Sequence, residues 1–138
     1  MKSNKSILFG VALLLGFSVF AQYGQQKKAD NLFNKFSFAN AIEVYKNLIG
    51  NDFNSDYSIR QLADSYAYMR NPDSAVVYYK KAVAQNNIPI EYYYKYAQTL
   101  RGIKDYKESR VWLRKFKDAG GKIDKNLISK DTDFITSI

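Results

Sequence analysis

Residues 59–82 read IRQLADSYAYMRNPDSAVVYYKKA. Ile59, Leu62, Ala63 and Tyr66 fall at i, i+3, i+4 and i+7, one face of a helix. Ala75, Tyr79 and Ala82 form a second stripe of the same period. Between the stripes, Arg70-Asn71-Pro72-Asp73-Ser74 reads as a turn. Asn71 is a good N-cap, and Pro72 suits the first turn of a helix because its missing donor has no partner there anyway. The stretch predicts two short amphipathic helices joined by a tight turn.

The same pattern recurs every 34 residues. Ala29, Ala63 and Ala97 share one column, and Leu32, Tyr66 and Leu100 another. Ala41, Ala75 and Ser109 keep the spacing, as do Tyr45, Tyr79 and Leu113, and Leu48, Ala82 and Phe116. Each column sets small with small or large with large. The cap column is Ser37, Asn71 and Asp105, and Glu108 follows Asp105 at the spacing of a capping box. Asn54-Ser55-Asp56 and Asn86-Asn87-Ile88-Pro89 break the chain between units. A period of this length is the signature of stacked helix pairs, of which about three are needed to bury a continuous core.

These columns resemble the tetratricopeptide repeat (TPR) family. The second unit carries Leu62, Ala63, Tyr66, Ala75, Tyr79 and Ala82 at the family's signature positions, and the third has Tyr96, Ala97, Leu100, Ser109, Leu113 and Phe116. The first departs with Lys28 where a large apolar residue is usual, and the family's late proline is replaced by Phe53, Asn87 and Gly121. The resemblance implies an all-α fold, a right-handed superhelix (an α-solenoid) of three repeats at 22–55, 56–89 and 90–123. Gly120-Gly121 is a helix stop. The tail 124–138, with Leu127, Ile128, Phe134 and Ile135, is expected to form a short capping helix or to begin a linker.

By the same resemblance, a concave groove is lined by fixed positions of each repeat's first helix. These are Tyr23, Lys27, Asp30 and Phe33 in the first unit. In the second they are Tyr57, Arg60, Gln61, Asp64 and Tyr68, and in the third Glu91, Tyr94, Lys95, Gln98 and Arg101. Tyrosine, phenylalanine and arginine on a rigid surface are the residue types of binding hot spots. Gln26 and Asp30 stand where the carboxylate clamp of some members uses lysine and asparagine, which argues against a free C-terminal carboxylate as ligand.

The repeat frame also interprets Ile90–Ala97, IEYYYKYA, with four tyrosines in eight residues. A helix turns 100° per residue and scatters them over several faces. Tyr93 and Tyr96 fall in core columns, Tyr94 at a groove position and Tyr92 on the outer or interunit side. A base-stacking platform would need aromatics and lysines on one face, so nucleic acid is not the expected partner.

Composition narrows the function. The 138 residues are 46% apolar and 25% charged, within the globular range. Cysteine and histidine are absent, which removes thiolate chemistry and the commonest general base and metal ligand. Neither Asp131 with Asp133 nor Asp30 with Asp64 carries a supporting catalytic motif, so no enzyme, no metal and no cofactor is expected. The formal charge is +8, or +6 without Lys2 and Lys5, which admits a second reading in which a polyanionic surface is bound electrostatically.

Lys2 and Lys5 precede an apolar run from Ile7 to Phe20, and Val19-Phe20-Ala21 fits a small-x-small cleavage site. A run of 14 residues is short for a hydrocarbon core about 30 Å thick, so residues 1–21 read as a secretory signal peptide. With the Ala-Gln start and KKADNLFNKFSFANAIEVYKNLI, residues from about 10 to 138 resemble the N-terminal repeat segment of outer-membrane-associated OmpA-family proteins of Bacteroidetes, some linked to type IX secretion and gliding. Peptidoglycan binding in that family belongs to downstream domains that these residues do not contain. The expected role is a non-catalytic scaffold in the periplasm that binds a protein or peptide segment at the envelope. Export should yield a chain starting at Gln22. Intact mass of the exported protein checks this, and a full-length membrane-embedded product would contradict it.

Overall fold

The structure, a computed structural model, describes the backbone of residues 4–123 and the side chains from Val19 to Ile123. Six helices follow in order: α1 (Asn4–Asn34), α2 (Phe38–Gly50), α3 (Ser55–Tyr68), α4 (Pro72–Ala82), α5 (Glu91–Gly102) and α6 (Tyr106–Asp118). No strand occurs among the described residues, so the all-α expectation holds. α1 runs unbroken through the expected cleavage site after Ala21. The expected cap or linker at 124–138 lies outside the described residues.

α2, α4 and α6 begin 34 residues apart, and the turns before them share one backbone design. Phe36, Arg70 and Lys104 are left-handed, with φ of 60°, 55° and 66°. Each donates its N–H three residues back, to Phe33, Ala67 and Arg101. The next residue donates five back: Ser37 to Leu32, Asn71 to Tyr66 and Asp105 to Leu100, at 2.9–3.0 Å. These are Schellman closures, which satisfy the last carbonyls of one helix while aiming the chain into the next. Left-handed geometry costs a residue with a Cβ roughly 1–2 kcal/mol, so the turn is maintained by its hydrogen bonds and the flanking packing. The stop after α6 follows the same plan with Gly120 at φ 90°. Gly121 has no side chain to spare, because a Cβ there would overlap the Phe116 ring.

The caps differ within their column. Asn71 accepts from the Ser74 N–H at 3.1 Å and Asp105 from the Glu108 N–H at 3.2 Å. Ser37 makes no such bond, because its hydroxyl instead accepts from Asn40 Nδ2 at 2.9 Å. The capping box at α6 is half made: Glu108 takes the Trp112 indole N–H at 2.8 Å with its carboxylate.

The chain divides into two compact units, Met1–Ser58 and Ile59–Ile138. In the first, α1 packs on α2, and Ala29, Ala41, Ile42, Val44, Tyr45 and Leu48 are buried. In the second, Ala63, Ala75, Tyr79, Ala82, Tyr92, Tyr96 and Leu100 form one cluster that joins α3, α4 and α5. Ala97 and Leu113 form another between α5 and α6, with Ile123 packed against it. Ala29, Ala63 and Ala97 are fully buried, as are Ala41, Ala75 and Ser109. A side chain no larger than methyl or hydroxymethyl lets two helix backbones come close. Where serine replaces alanine, its hydroxyl donates to the Ala97 carbonyl at 2.7 Å, so the buried polar atom is satisfied.

Enlarging Ala63 or Ala97 to leucine should cost about 1–3 kcal/mol by overpacking these contacts. Ala39→Leu, on an exposed position of α2, should stay within about 0.5 kcal/mol. Urea unfolding followed by circular dichroism measures all three.

Candidate functional site

α3 brings Arg60, Gln61, Asp64 and Tyr68 along one side, since residues three, four and eight apart stack on a helix face. Asp64 decides what that side can do. It is only 7% exposed, and its carboxylate is surrounded by donors. Tyr79 of α4 donates to Oδ1 at 2.7 Å, and Tyr92 of α5 to Oδ2 at 3.2 Å. Lys95 of α5 reaches both oxygens, at 3.0 and 2.8 Å, with its ammonium 4.6 Å from the centre of the Tyr92 ring. A buried carboxylate is tolerated only when paired and hydrogen-bonded, and here two helices, α4 and α5, supply the partners. Asp64 and Lys95, both expected as groove residues, are therefore brought together and bound to each other. The Lys95 side chain keeps about a third of its surface in solvent (35%).

The other expected residues of this unit divide by exposure. Arg60 is half-buried and donates to Gln85 Oε1 at 2.7 Å. Gln61 buries its Oε1 without a hydrogen-bond donor. Tyr68 is 61% exposed, Gln98 is exposed and Arg101 is half-buried. Tyr94 is half-buried with its ring 5.3 Å from Phe116, so part of it belongs to the packing beneath. Tyr96 is core as expected, whereas Tyr93 is half-buried against Trp112, with ring centres 5.5 Å apart. Tyr92, expected outside or between units, is buried between α4 and α5 with its ring 6.3 Å from that of Tyr79.

The first unit has a parallel arrangement. Asp30 Oδ1 accepts from Tyr45 at 2.7 Å and from Tyr57 at 2.8 Å. Asp30 and Tyr57 are thus joined, while Lys27 and Tyr23 stand exposed, Tyr23 with its ring edge-on to Phe53 at 4.9 Å. Phe33 is half-buried against Phe38 at 5.3 Å.

The Asp–Tyr pairing escaped the sequence reading, which placed Asp30, Asp64 and Tyr57 in a groove and Tyr45 and Tyr79 in a column of large residues. A signal was present. Asp30 and Asp64 lie 34 apart and so do their donors Tyr45 and Tyr79, and in the third unit both change together, to Gln98 and Leu113. An acceptor and a donor that disappear in step are a contact.

Burial is the main reason the Tyr45, Tyr79 and Tyr92 phenols are pushed well above their ordinary range. The neighbouring Asp30 or Asp64 carboxylate adds to it, through charge and by accepting the phenolic hydrogen. At Tyr92 the Arg60 charge opposes the shift in part. Burial also raises Tyr96, with help from Glu108.

The arrangement contains no three-residue His/Cys/Asp/Glu cluster able to hold a metal ion among the described residues. No helix among them is long and apolar enough to cross a membrane. On the α3–α5 side Asp64 is neutralised within the fold, while Tyr68, Glu91 and Gln98 are exposed and Arg60 and Arg101 half-buried. The fold and surface are those of an all-α repeat protein. A tetratricopeptide repeat family model matches residues 61–87, the stretch from Gln61 in α3 through α4 to Asn87. A repeat of this type supports a protein-interaction scaffold with a protein partner. No curated protein matches the chain, so the closer OmpA-family resemblance has no relative behind it.

The phenol shifts fix a pH dependence. Unfolded tyrosines ionise near pH 10. Below that pH both states keep their protons and the buried hydrogen bonds contribute in full. As pH rises past 10, the unfolded chain loses protons that the fold retains, and stability falls by about 1.4 kcal/mol per pH unit for each such tyrosine. Melting temperature should therefore be flat to about pH 9 and fall steeply above 10. Tyr45→Phe with Tyr79→Phe should make the decline shallower; an unchanged slope would place those phenols in solvent.

Proposed function

We propose that the chain is a non-catalytic scaffold that binds a protein or peptide segment along the exposed side of α3 and α5. The observation that carries this reading is the internal neutralisation of Asp64 by Lys95, Tyr79 and Tyr92. It neutralises the buried acid of that side, whose solvent-facing part carries Arg60, Arg101 and Tyr68 together with the exposed Glu91. Arg60 offers a forked, always-charged donor to a carboxylate or carbonyl. Tyr68 offers flat apolar area at low entropic cost. The segment best suited to them is extended, acidic or carbonyl-rich, and carries an apolar side chain.

The cellular setting rests on sequence. Lys2, Lys5, the run Ile7–Phe20 and Val19-Phe20-Ala21 support export to the periplasm. The OmpA-family resemblance supports an outer-membrane-associated or secretion complex as the place of action. The repeats at 22–55, 56–89 and 90–123 remain the working division for designing variants.

Arg60→Glu should weaken capture of the envelope partner tenfold or more, about 1.4 kcal/mol. Losing the bond to Gln85 should cost the fold only about 1 kcal/mol. Lys80→Glu, on an exposed position of α4, makes the same change of charge and should bind normally. Titration of a captured and identified partner against the three proteins decides it: equal losses from both variants would assign the binding to net charge, and no loss from either would place it elsewhere.

A further inference from the structure

Charge is distributed unevenly along the chain. Residues 19–58 hold four Lys and Arg against four Asp and Glu, whereas residues 59–123 hold thirteen against six. The excess gathers at the end of this stretch, where residues 101–122 carry eight basic and three acidic side chains. Two of those acids are engaged: Asp105 caps α6, and Glu108 holds the Trp112 indole.

α6 turns Ser109 and Leu113 inward. Its outward arc carries Lys107, Arg110, Val111, Arg114 and Lys117, three or four residues apart, with the exposed Asp118 at the C-terminal end of the same arc. Lys107 and Arg114 are exposed, while Arg110 and Lys117 each have an interaction within the chain and add their charge to the same arc. The apolar residues beside them are also exposed, Tyr106 at 42% and Val111 at 43%. At the rim, the Lys115 ammonium lies 3.9 Å from the centre of the Trp112 ring.

We propose that this outward face of α6 docks on the surface of a bilayer rich in anionic phospholipid. Three features favour lipid over an acidic protein. The charge lies along a helix face about 20 Å long rather than converging on one point. Small and aromatic apolar side chains alternate with the basic ones, as at the headgroup boundary, where stems and rings sit at the acyl edge and ammonium groups meet phosphate. The opposite face of the helix is already occupied by α5, so the docking is peripheral and needs no unfolding of α6.

The test is co-sedimentation of the full chain with phosphatidylcholine vesicles and with vesicles in which about a quarter of the lipid is phosphatidylglycerol. Binding through the apolar run Ile7–Phe20 would be common to both vesicles, so the readout is the ratio of binding to anionic over neutral vesicles. The wild-type ratio should be high at low salt and fall steeply as salt rises. Lys107→Glu with Arg114→Glu should lower it at least about tenfold, with helix content unchanged by circular dichroism. If that pair fails to fold, Lys107→Gln with Arg114→Gln should still lower the ratio severalfold. Lys28→Glu with Lys35→Glu, the same charge change on α1 and the turn after it, should leave it intact. A ratio near one for the wild type, or equal losses from both reversed pairs, overturns the proposal. So does polyglutamate that binds the full chain with the same Lys107/Arg114 dependence while anionic vesicles do not, which would assign the face to an acidic protein.

Discussion

The second unit depends on one carboxylate. Asp64 sits where three helices meet, and it is satisfied only if all three are in place: α4 brings Tyr79, and α5 brings Tyr92 and Lys95. A buried charge is costly to leave alone, so the fold is penalised for any arrangement in which α5 slides or turns away. Hydrophobic burial of Ala63, Ala75 and Tyr96 supplies most of the attraction but is tolerant of small shifts. The carboxylate adds direction, since its donors must arrive within hydrogen-bonding distance from fixed positions. Asp30 does the same for α1, α2 and the start of α3 through Tyr45 and Tyr57. The third helix pair has Gln98 and Leu113 in those places, and Leu113 packs with Ala97 and Ile123 instead.

This explains the choice of tyrosine over phenylalanine in the core columns. Tyr45 and Tyr79 fill the same space a phenylalanine would, yet each also donates to an aspartate one helix away. Tyr57 and Tyr92 approach the same carboxylates from the following helix. The tyrosine-rich run at 92–96 is thus divided by its own helix. Tyr92 and Tyr96 go inward, Tyr93 rests on Trp112, and Tyr94 rests on Phe116.

Much of the fold was legible because small and large residues alternate with a fixed period. Ala29, Ala63 and Ala97 carry their meaning in side-chain size, and size is visible in a sequence. The turns were less legible. Phe36, Arg70 and Lys104 occupy left-handed positions that usually select glycine, and nothing in a phenylalanine, arginine or lysine announces a positive φ. Their conformation is imposed by the Schellman bonds around them, which is tertiary information. Ser37 reads as a cap like Asn71, but its hydroxyl has an alternative partner in Asn40. At the candidate site the bond between Asp64 and Lys95 was not legible in the sequence. Asp64 and Lys95 look like two exposed charges in a list of groove positions; only the distance between them shows that each consumes the other.

That consumption shapes the surface in turn. On α3 and α5 the acid Asp64 is internal, and the exposed or half-exposed side chains include Arg60, Tyr68, Glu91, Gln98 and Arg101. On α6, Lys107 and Arg114 are exposed and keep their charge in solvent. The helix tolerates this because its own dipole is complemented: Asp105 and Glu108 lie at its start, Lys115 and Lys117 in its last turn. Basic side chains at the C-terminal end reduce rather than increase the electrostatic strain of the helix. Lys117 belongs both to the last turn and to the outward face, whereas Lys107 lies in the first turn, so helix stabilisation accounts for only part of the positive face.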